Sequence, residues 1–403
     1  MLRNLTKACF VGSMQYSIIL ESMKILIVTG IFPPDIGGPA TYTEKLAFEL
    51  IRHGHQVGVI CYADKKNGRA YPFLVARIYR GYILPVRYFI FFWKVLKMSH
   101  SFDLLFAQSA FISGLPCLLV RLITGKKYIT KIVGDFSWEY VRGKNLTKNN
   151  IDEFQQRSLY PPLIWLIRMV QKLTCKKSET IIVPSFYLKN IVSQWHVSLD
   201  KIKVVYNAVE CSNFKDQKLI RQIVSVGRLV PWKGFDVLIG LMPQLLEKFA
   251  DTKLLIVGDG PMRKILETKI KTLNLSNNVQ IIGRVDREKN LEYLGVADIF
   301  VLNTEYEGFS HVILEAMMAG AVVVATDAGG NKEIIKDGLN GRLIPVNNTE
   351  KLKEVLLEVL GNNNSLIRER AQKDAANYNW NNYIPLLMEA FKKFPGRGNN
   401  FMN

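Results

Sequence analysis

The chain has 403 residues, of which 48% are hydrophobic and 22% charged, a composition that excludes disordered and fibrous proteins and suits two globular domains. Lys and Arg number 53 against 35 Asp and Glu, giving a formal net charge of +18, which points to acidic partners such as phosphates, anionic lipid or nucleic acid. Residues 1–210 hold 28 basic and 13 acidic side chains, so the positive charge belongs mainly to the first half.

The N-terminal residues and the cysteines indicate a protein without a targeting segment or disulfide framework. Residues 1–22 contain only short apolar pieces, so we expect a poorly ordered leader, and Met23 could be the true start. The uncharged stretch Leu104–Val120 is better explained by a strand, a turn and a helix than by a membrane span. The cysteines are widely spaced and include no C-x-x-C pair, which argues against disulfides and a zinc site and favours a reducing cytosol. They are Cys9, Cys61, Cys117, Cys175 and Cys211.

Short runs rich in Ile, Val and Leu alternate with helical patterns along the chain. Such runs are typical of parallel strands that are buried on both faces. In the first half they are KILIVTG from Lys24, QVGVICY near Val57, DLLFAQ at Asp103, YITKIV at Tyr128 and ETIIVPS at Glu179. In the second half they begin at Gln222, Lys253, Asn278, Ala297 and Ala321.

Two such series predict an α/β fold of two Rossmann-like, doubly wound domains that face a central cleft. We place the first domain at residues 23–207 and the second at 208–377, with the joint near Tyr206 to Lys218. A C-terminal helix at 378–393 and a loose tail at 394–403 complete the predicted chain. Ligands of such sheets bind at the carboxyl ends of the strands, so the cleft is the expected site.

The strongest chemical signal is a pair of carboxylates, Glu307 and Glu315, between a predicted strand and a helix of small residues. If the helix starts near Phe309, Glu315 lies on its second turn. The backbone N–H groups of Phe309, Ser310 and His311 are then free donors that suit a phosphate. A carboxylate at this place can accept hydrogen bonds from a vicinal diol such as ribose or a hexose. The alternative is a solvated pair of glutamates.

A second motif, GRLVPWKG, carries Arg228 and Lys233 directly after a predicted strand. Two cations across a Pro and Gly loop can bind a diphosphate, with Arg as a bidentate donor and Lys as a point charge. The sequence has no Asp-x-Asp pair and no His and Cys cluster, so we expect neither a metal nor another cofactor. The alternative is that both cations serve only solubility.

Near the start of the chain, Gly37 and Gly38 lie between the first strand and a helix. Paired glycines let the backbone approach a ligand closely. This loop is not the G-x-G-x-x-G fingerprint of nicotinamide enzymes, which disfavours hydride transfer.

Together these motifs resemble the retaining GT-B glycosyltransferases of the family-4 type, also described as glycosyl transferases group 1, from about Met23 to Phe391. The resemblance implies that Glu315 holds the nucleotide ribose, and that Arg228 and Lys233 bind the departing diphosphate. It also implies that the final helix, about Trp380 to Lys392, packs on the first domain. The remaining implied donor contacts are Glu307 with the backbone of Gly308, Phe309 and Ser310 for the sugar, Gly37 and Gly38 for the phosphates, and Arg284 and Val285 for the base.

The resemblance implies same-face attack, in which the diphosphate helps to deprotonate the acceptor and no protein nucleophile is needed. The sequence departs from the family pattern at Asp135, which stands where a His often ends the strand. We expect Asp135 to orient a sugar hydroxyl, with capping of the next turn as the alternative. The predicted catalytic set is therefore Asp135, Glu307, Arg228 and Lys233.

Two basic aromatic segments in the first half, Arg77 to Lys97 and Leu163 to Lys177, are candidates for contact with an anionic membrane surface. The alternative is that both are core helices. The predicted function is hexose transfer from a nucleotide sugar to a glycan or lipid-linked acceptor in cell-envelope synthesis, at the inner face of the cell membrane. GDP-mannose is slightly preferred over a UDP-sugar by the resemblance alone.

Two other functions remain open. One is a soluble enzyme of the same architecture with other chemistry, such as a nucleotide-sugar epimerase or a glucan synthase. The other is a basic nucleic-acid-binding protein, for which the sequence contains no recognisable motif.

Overall fold

A computed structural model of the protein describes residues 22–64, 69–157, 159–210, 221–392 and 394. Most of the predicted leader, nearly all of the tail and residues 211–218 of the predicted joint lie outside these residues. Cys9 and Cys211 also lie outside them. Cys61, Cys117 and Cys175 are buried free thiols.

The first domain contains a seven-stranded parallel sheet in the order β3-β2-β1-β4-β5-β6-β7. All five predicted runs of this half are strands, while β3 and β7 were not predicted. The strands are β1 Lys24–Val28, β2 Gln56–Ala63, β3 Leu74–Tyr79, β4 Leu104–Ala107, β5 Tyr128–Lys131, β6 Thr180–Val183 and β7 Ile202–Val204.

The helices of the first domain cover both faces of this sheet, and three of them begin with a proline in the first turn, where its missing N–H is tolerated. They are α1 Gly38–Arg52, α2 Leu84–Ser99, α3 Gly114–Thr124, α4 Phe136–Gly143, α5 Ile151–Gln156, α6 Pro162–Lys177 and α7 Phe186–Ser193. A 3₁₀ turn, Leu199–Lys201, precedes β7.

The second domain contains a six-stranded parallel sheet in the order β10-β9-β8-β11-β12-β13. Its strands are β8 Gln222–Val226, β9 Lys253–Val257, β10 Val279–Gly283, β11 Ile299–Leu302, β12 Val322–Thr326 and β13 Arg342–Ile344. Its helices are α8 Phe235–Lys248, α9 Arg263–Thr272, α10 Arg287–Val296, α11 His311–Met318, α12 Asn331–Ile334, α13 Thr349–Gly361 and α14 Ser365–Ala375. A 3₁₀ turn, Pro231–Lys233, follows β8.

Both sheets therefore have the predicted α/β, doubly wound architecture. The strand order reverses between β1 and β4 in one sheet and between β8 and β11 in the other. A crevice opens at such a reversal, at the carboxyl ends of the strands. Most of the predicted site residues consequently lie in, or directly after, the loops that follow β1, β5, β8 and β11.

The last helix, α15 Trp380–Phe391, packs on the first domain. Its residues Tyr383, Leu387 and Phe391 share a hydrophobic cluster with the strand residues Ile25 and Phe106 of the first sheet. The ring centroids of Phe106 and Phe391 are 5.1 Å apart. The chain thus returns to its first domain after completing the second.

The predicted basic segment Arg77 to Lys97 is not one amphipathic element, because it is divided between β3 and α2. Within α2, Phe91 is fully buried in the core, whereas Phe89 and Trp93 are 63% and 57% exposed and stack on each other. Over the part of the chain that the structure describes, no helix has both the length and the apolar character needed to cross a bilayer.

Candidate active site

The two domains contact each other through the loop after β11. The hydroxyl of Ser185 donates a hydrogen bond of 2.7 Å to the carbonyl oxygen of Gly308. A Cβ at Gly308 would lie 2.5 Å from the carbonyl oxygen of Val133 in the first domain. Only glycine allows so close an approach, so this contact fixes the separation of the two cleft walls at this point.

Lys233 and Glu307 form an ion pair at the carboxyl ends of β8 and β11. Lys233 ends the 3₁₀ turn after β8, and Gly234 then adopts a left-handed conformation with φ of 58°. The distance from Lys233 Nζ to Glu307 Oε2 is 2.6 Å, and both side chains are mostly buried. Arg228 lies in the same loop and is exposed. The structure therefore brings three of the four predicted catalytic residues to one side of the cleft.

The helix behind these residues, α11, begins at His311, two residues later than predicted. Ser310 is its N-cap and accepts a hydrogen bond from the backbone N–H of Ile313 at 3.4 Å. The earlier N–H groups of the first turn have no intrahelical partner and suit an anion. Phe309 is buried against the rings of Tyr206 and Tyr378, so its side chain anchors this helix start in the core.

Glu315 lies on the second turn of α11, as predicted, with a side chain that is 14% exposed. Burial raises its pKa to about 7, while the Arg287 guanidinium, whose Nε is 3.7 Å from Glu315 Oε1, opposes this rise. Arg287 also pairs with Glu210, and Glu210 pairs with Lys45 of α1. A chain of four alternating charges therefore connects the first domain to Glu315. No local sequence pattern points to Arg287, Glu210 and Lys45, because the fold alone brings these distant segments together.

His311, the first residue of α11, does not suit the role of a general base. Its burial, together with the charges of Lys131 and Arg287, lowers its pKa to about 3, so the imidazole is neutral at physiological pH. This agrees with its position at a helix start and not with proton transfer.

The predicted ligand contact of Asp135 is wrong. Asp135 is completely buried, and it caps α4 by accepting hydrogen bonds from the backbone N–H groups of Ser137 and Trp138. Its two oxygens also accept hydrogen bonds from the side chains of Ser137, Gln155 and Gln171. The carboxylate is saturated by protein donors, so the alternative interpretation, capping of the next turn, is the one that the structure supports.

Glu139 lies on α4, one turn after Asp135, and its side chain is exposed in the cleft. Desolvation by the surrounding cleft walls raises the pKa of Glu139 to about 7, and the negative charges of Asp135 and Glu307 contribute to this rise. Arg228 and Lys233 act in the opposite direction. No role was predicted for Glu139 from the sequence, although it follows the helix-capping Asp135 by four residues, which is about one helical turn.

The other predicted donor contacts also lie at strand ends. Gly37 is the N-cap of α1, and a Cβ at Gly38 would contact nothing within 4 Å, so this helix start is open to close approach. Arg284 and Val285 follow β10 directly, with Arg284 exposed and Val285 partly buried. Across the described ranges, no group of three or more His, Cys, Asp or Glu side chains is arranged to hold a metal ion.

Comparison with protein families gives two matches that divide the chain between them. The family described as Glycosyltransferase Family 4 matches residues 36–213, and the family described as Glycosyl transferases group 1 matches residues 212–380. An uncharacterized glycosyltransferase of Methanocaldococcus jannaschii is 29% identical over 92% of this chain and 98% of its own. The phosphatidylinositol N-acetylglucosaminyltransferase GPI3 subunit of Saccharomyces cerevisiae is 26% identical over 77% of this chain and 70% of its own.

Solved structures share the same fold at low sequence identity. Sucrose-phosphate synthase from Thermosynechococcus elongatus superposes with a TM-score of 0.76 at 19% identity, covering 92% of this chain and 98% of its own. The HepE protein of Anabaena, in complex with UDP and glucose, superposes with a TM-score of 0.72 at 19% identity, covering 92% of this chain and all of its own.

Proposed function

Because the chain belongs to the GT-B glycosyltransferases of the group 1 and family-4 type, we propose that it transfers a hexose from a nucleotide sugar with retention of configuration. The acceptor is a glycan or a lipid-linked compound of the cell envelope. Membership of this family also disfavours the nucleic-acid-binding alternative and, less strongly, an epimerase.

One observation carries this proposal: Lys233 and Arg228 lie at the end of β8, beside Glu307 and the open N-terminus of α11. Glycosyl transfer builds negative charge on the departing nucleoside diphosphate. Fixed cations and helix N–H groups that face this charge stabilise the transition state more than the ground state. These groups supply the positive charge without a metal, so we propose metal-independent transfer.

Glu315 supports the recognition of a nucleoside. It lies on the same helix as the proposed phosphate-binding N–H groups, one turn further in. Its oxygens can accept hydrogen bonds from the two hydroxyls of a ribose. The second domain would then bind the donor, while the first domain presents the acceptor.

The donor is tested by incubating the protein with GDP-mannose, UDP-glucose and UDP-N-acetylglucosamine, each with and without phosphatidylinositol vesicles. We expect one donor to raise the melting temperature, because a ligand that binds only the native state stabilises it, and the same donor to release nucleoside diphosphate. GDP-mannose is the preference from sequence resemblance, whereas HepE is known with UDP and glucose. If no donor stabilises the protein or releases nucleoside diphosphate, the proposed function is wrong.

We also propose that the protein acts at the inner face of the cell membrane through one surface of its first domain. Helices α2, α3 and α6 pack side by side and expose a set of large apolar side chains, here called the three-helix apolar face. Its members are Leu84, Val86, Phe89 and Trp93 on α2, Leu119, Leu122 and Ile123 on α3, and Leu163, Trp165, Leu166, Met169 and Leu173 on α6.

Charge favours an anionic bilayer as the occupant of this face. Lys94 and Lys97 on α2 and Lys176 and Lys177 at the end of α6 are exposed on the same helices. Apolar side chains beside cations are typical of surfaces that lie in the headgroup region of anionic membranes. The yeast relative is named for a phosphatidylinositol substrate, which supports a lipid acceptor.

Replacing both Phe89 and Trp93 with serine should reduce binding to phosphatidylglycerol vesicles at least tenfold. Each side chain is exposed and contributes about 1.5 to 3 kcal/mol when fully buried in an apolar environment, so the loss should be large without unfolding. Sedimentation with vesicles measures it. The control is Leu366→Ser, which removes an apolar side chain of the second domain that is 79% exposed. Equal binding by the double variant and wild type would contradict the proposed surface.

A further inference from the structure

Glu139 has an unusual position, because its carboxylate occupies space beside the end of β5 that a side chain at position 134 would fill. A Cβ at Gly134 would collide with Glu139 Oε1. Glu139 itself lies in the first turn of α4, where its backbone N–H donates to the Asp135 carbonyl oxygen at 3.0 Å. The glycine thus lets the carboxylate fold back toward the strand end and face the second domain.

Among the residues that the structure describes, this carboxylate has no partner in a hydrogen bond or an ion pair. The neighbouring acids behave differently, because Asp135 accepts several hydrogen bonds and Glu307 is paired with Lys233. Glu139 therefore retains its full capacity to accept a hydrogen bond from a ligand.

The hydroxyl of Tyr306 points to the same space. It lies 3.2 Å from the position of a Cβ on Gly134, and Tyr306 as a whole is 6% exposed. Within the described ranges this buried hydroxyl has no hydrogen-bond partner, although buried hydroxyl groups normally have one. Its ring is fixed against Trp138, with centroids 4.9 Å apart. Two polar groups that have no partner in the described part of the chain, one from each domain, thus converge beside Gly134.

We propose that Glu139 is a catalytic residue that takes the proton of the attacking acceptor hydroxyl, with Tyr306 as a hydrogen-bonding neighbour of that acceptor. This assignment rests on the proposed glycosyl transfer. The acceptor oxygen forms a bond to the anomeric carbon on the same face from which the bond to the diphosphate oxygen breaks, so configuration is retained. The electron pair of the broken bond stays on the diphosphate. The hydroxyl proton moves to the Glu139 carboxylate rather than to the diphosphate, which the family resemblance implied as the proton acceptor.

The electrostatic surroundings are consistent with this role. Asp135 on the same segment and Glu307 across the cleft favour protonation of Glu139, whereas Arg228 and Lys233 of the β8 loop oppose it. The resulting pKa is about 7. A base works best with a pKa near the operating pH, and above pH 7 most molecules carry the unprotonated carboxylate that can accept the proton.

The variant Glu139→Gln tests the role, since it keeps the shape of the side chain but cannot take up a proton. Turnover is measured as nucleoside diphosphate release from the three donors named above, with water as the acceptor and in parallel with phosphatidylinositol vesicles. General bases contribute about 10²- to 10⁴-fold to the rate, so we expect kcat to fall at least tenfold. The dissociation constants for UDP and GDP should stay unchanged. In the wild type, kcat should rise with pH around an inflection near 7, and the variant should lack this inflection.

Two further variants separate catalysis from structure. Gly134→Ala should also lower kcat and spare nucleotide affinity, because the added methyl group displaces the Glu139 carboxylate. Glu350→Gln, on the exposed face of the second domain, should match the wild type throughout.

Three outcomes would overturn the assignment. The first is a Glu139→Gln variant with wild-type kcat and pH profile. The second is a variant whose rate falls together with its UDP and GDP affinity, which would indicate a donor-binding role. The third is a wild type that releases no nucleoside diphosphate from any donor, which would remove the proposed function and this role together. In the first two cases the proposed function stands.

Discussion

Replacing Lys233 with alanine should lower turnover about a hundredfold. A hydrogen bond between charged groups contributes about 1.5 to 3 kcal/mol, and each 1.4 kcal/mol changes a rate about tenfold. The substitution also leaves Glu307 without the cation that lies 2.6 Å from it. An unpaired carboxylate would then repel the phosphates of the donor, so we expect an effect in the upper part of this range.

Steady-state kinetics and calorimetry with UDP and GDP measure this effect. Lys289→Ala is the matched control, because Lys289 is an exposed cation of the same domain. A double variant, Lys233→Ala with Glu307→Gln, should recover part of the nucleotide affinity, since it removes the unpaired charge. Unchanged kcat and unchanged affinity in Lys233→Ala would show that the diphosphate does not bind at this lysine.

Replacing Glu315 with alanine should weaken the binding of nucleoside diphosphate at least tenfold. The substitution removes the proposed acceptor of the ribose hydroxyls, and hydrogen bonds to a charged acceptor contribute about 1.5 to 3 kcal/mol each. Arg287 stays paired with Glu210, so the variant does not leave that guanidinium alone. Isothermal calorimetry gives the affinity, and a melting curve checks the fold.

The pH dependence of binding provides a separate test of Glu315. Its pKa is raised to about 7, so the carboxylate form that accepts two hydroxyl hydrogen bonds predominates only above this pH. Affinity for UDP or GDP should therefore rise between pH 6 and pH 8. The change should be smaller in Glu315→Gln, which retains only the titration of the phosphates themselves. An identical pH dependence in both proteins would argue against ribose binding by Glu315.

The sequence predicted those parts of the fold that local patterns determine. Long apolar runs marked the buried central strands such as β1 and β8. The strand β3 was missed because its sequence, LVARIY, places Arg77 between apolar residues on an edge strand. The strands β7 and β13 have only three residues each, too few for a periodicity to be visible.

The sequence predicted those site residues that belong to a single short motif. Lys233 and Glu307 lie in the loops after β8 and β11, and Glu315 lies on the helix that follows the second of these loops. Their meeting at the carboxyl ends of one sheet could therefore be anticipated. Asp135 was misjudged because the N-cap signal of an aspartate ahead of a helix was given less weight than its position at a strand end. The link from Lys45 through Glu210 to Arg287 depends on contacts between distant segments, which no local pattern reveals.

The most direct test of the central claim is a crystal structure of the protein with bound UDP or GDP. We expect the phosphates to lie within hydrogen-bond distance of Lys233 Nζ and of the backbone N–H groups at the start of α11, with the ribose hydroxyls on Glu315. Phosphates bound away from both Lys233 and the His311 helix start would contradict the account.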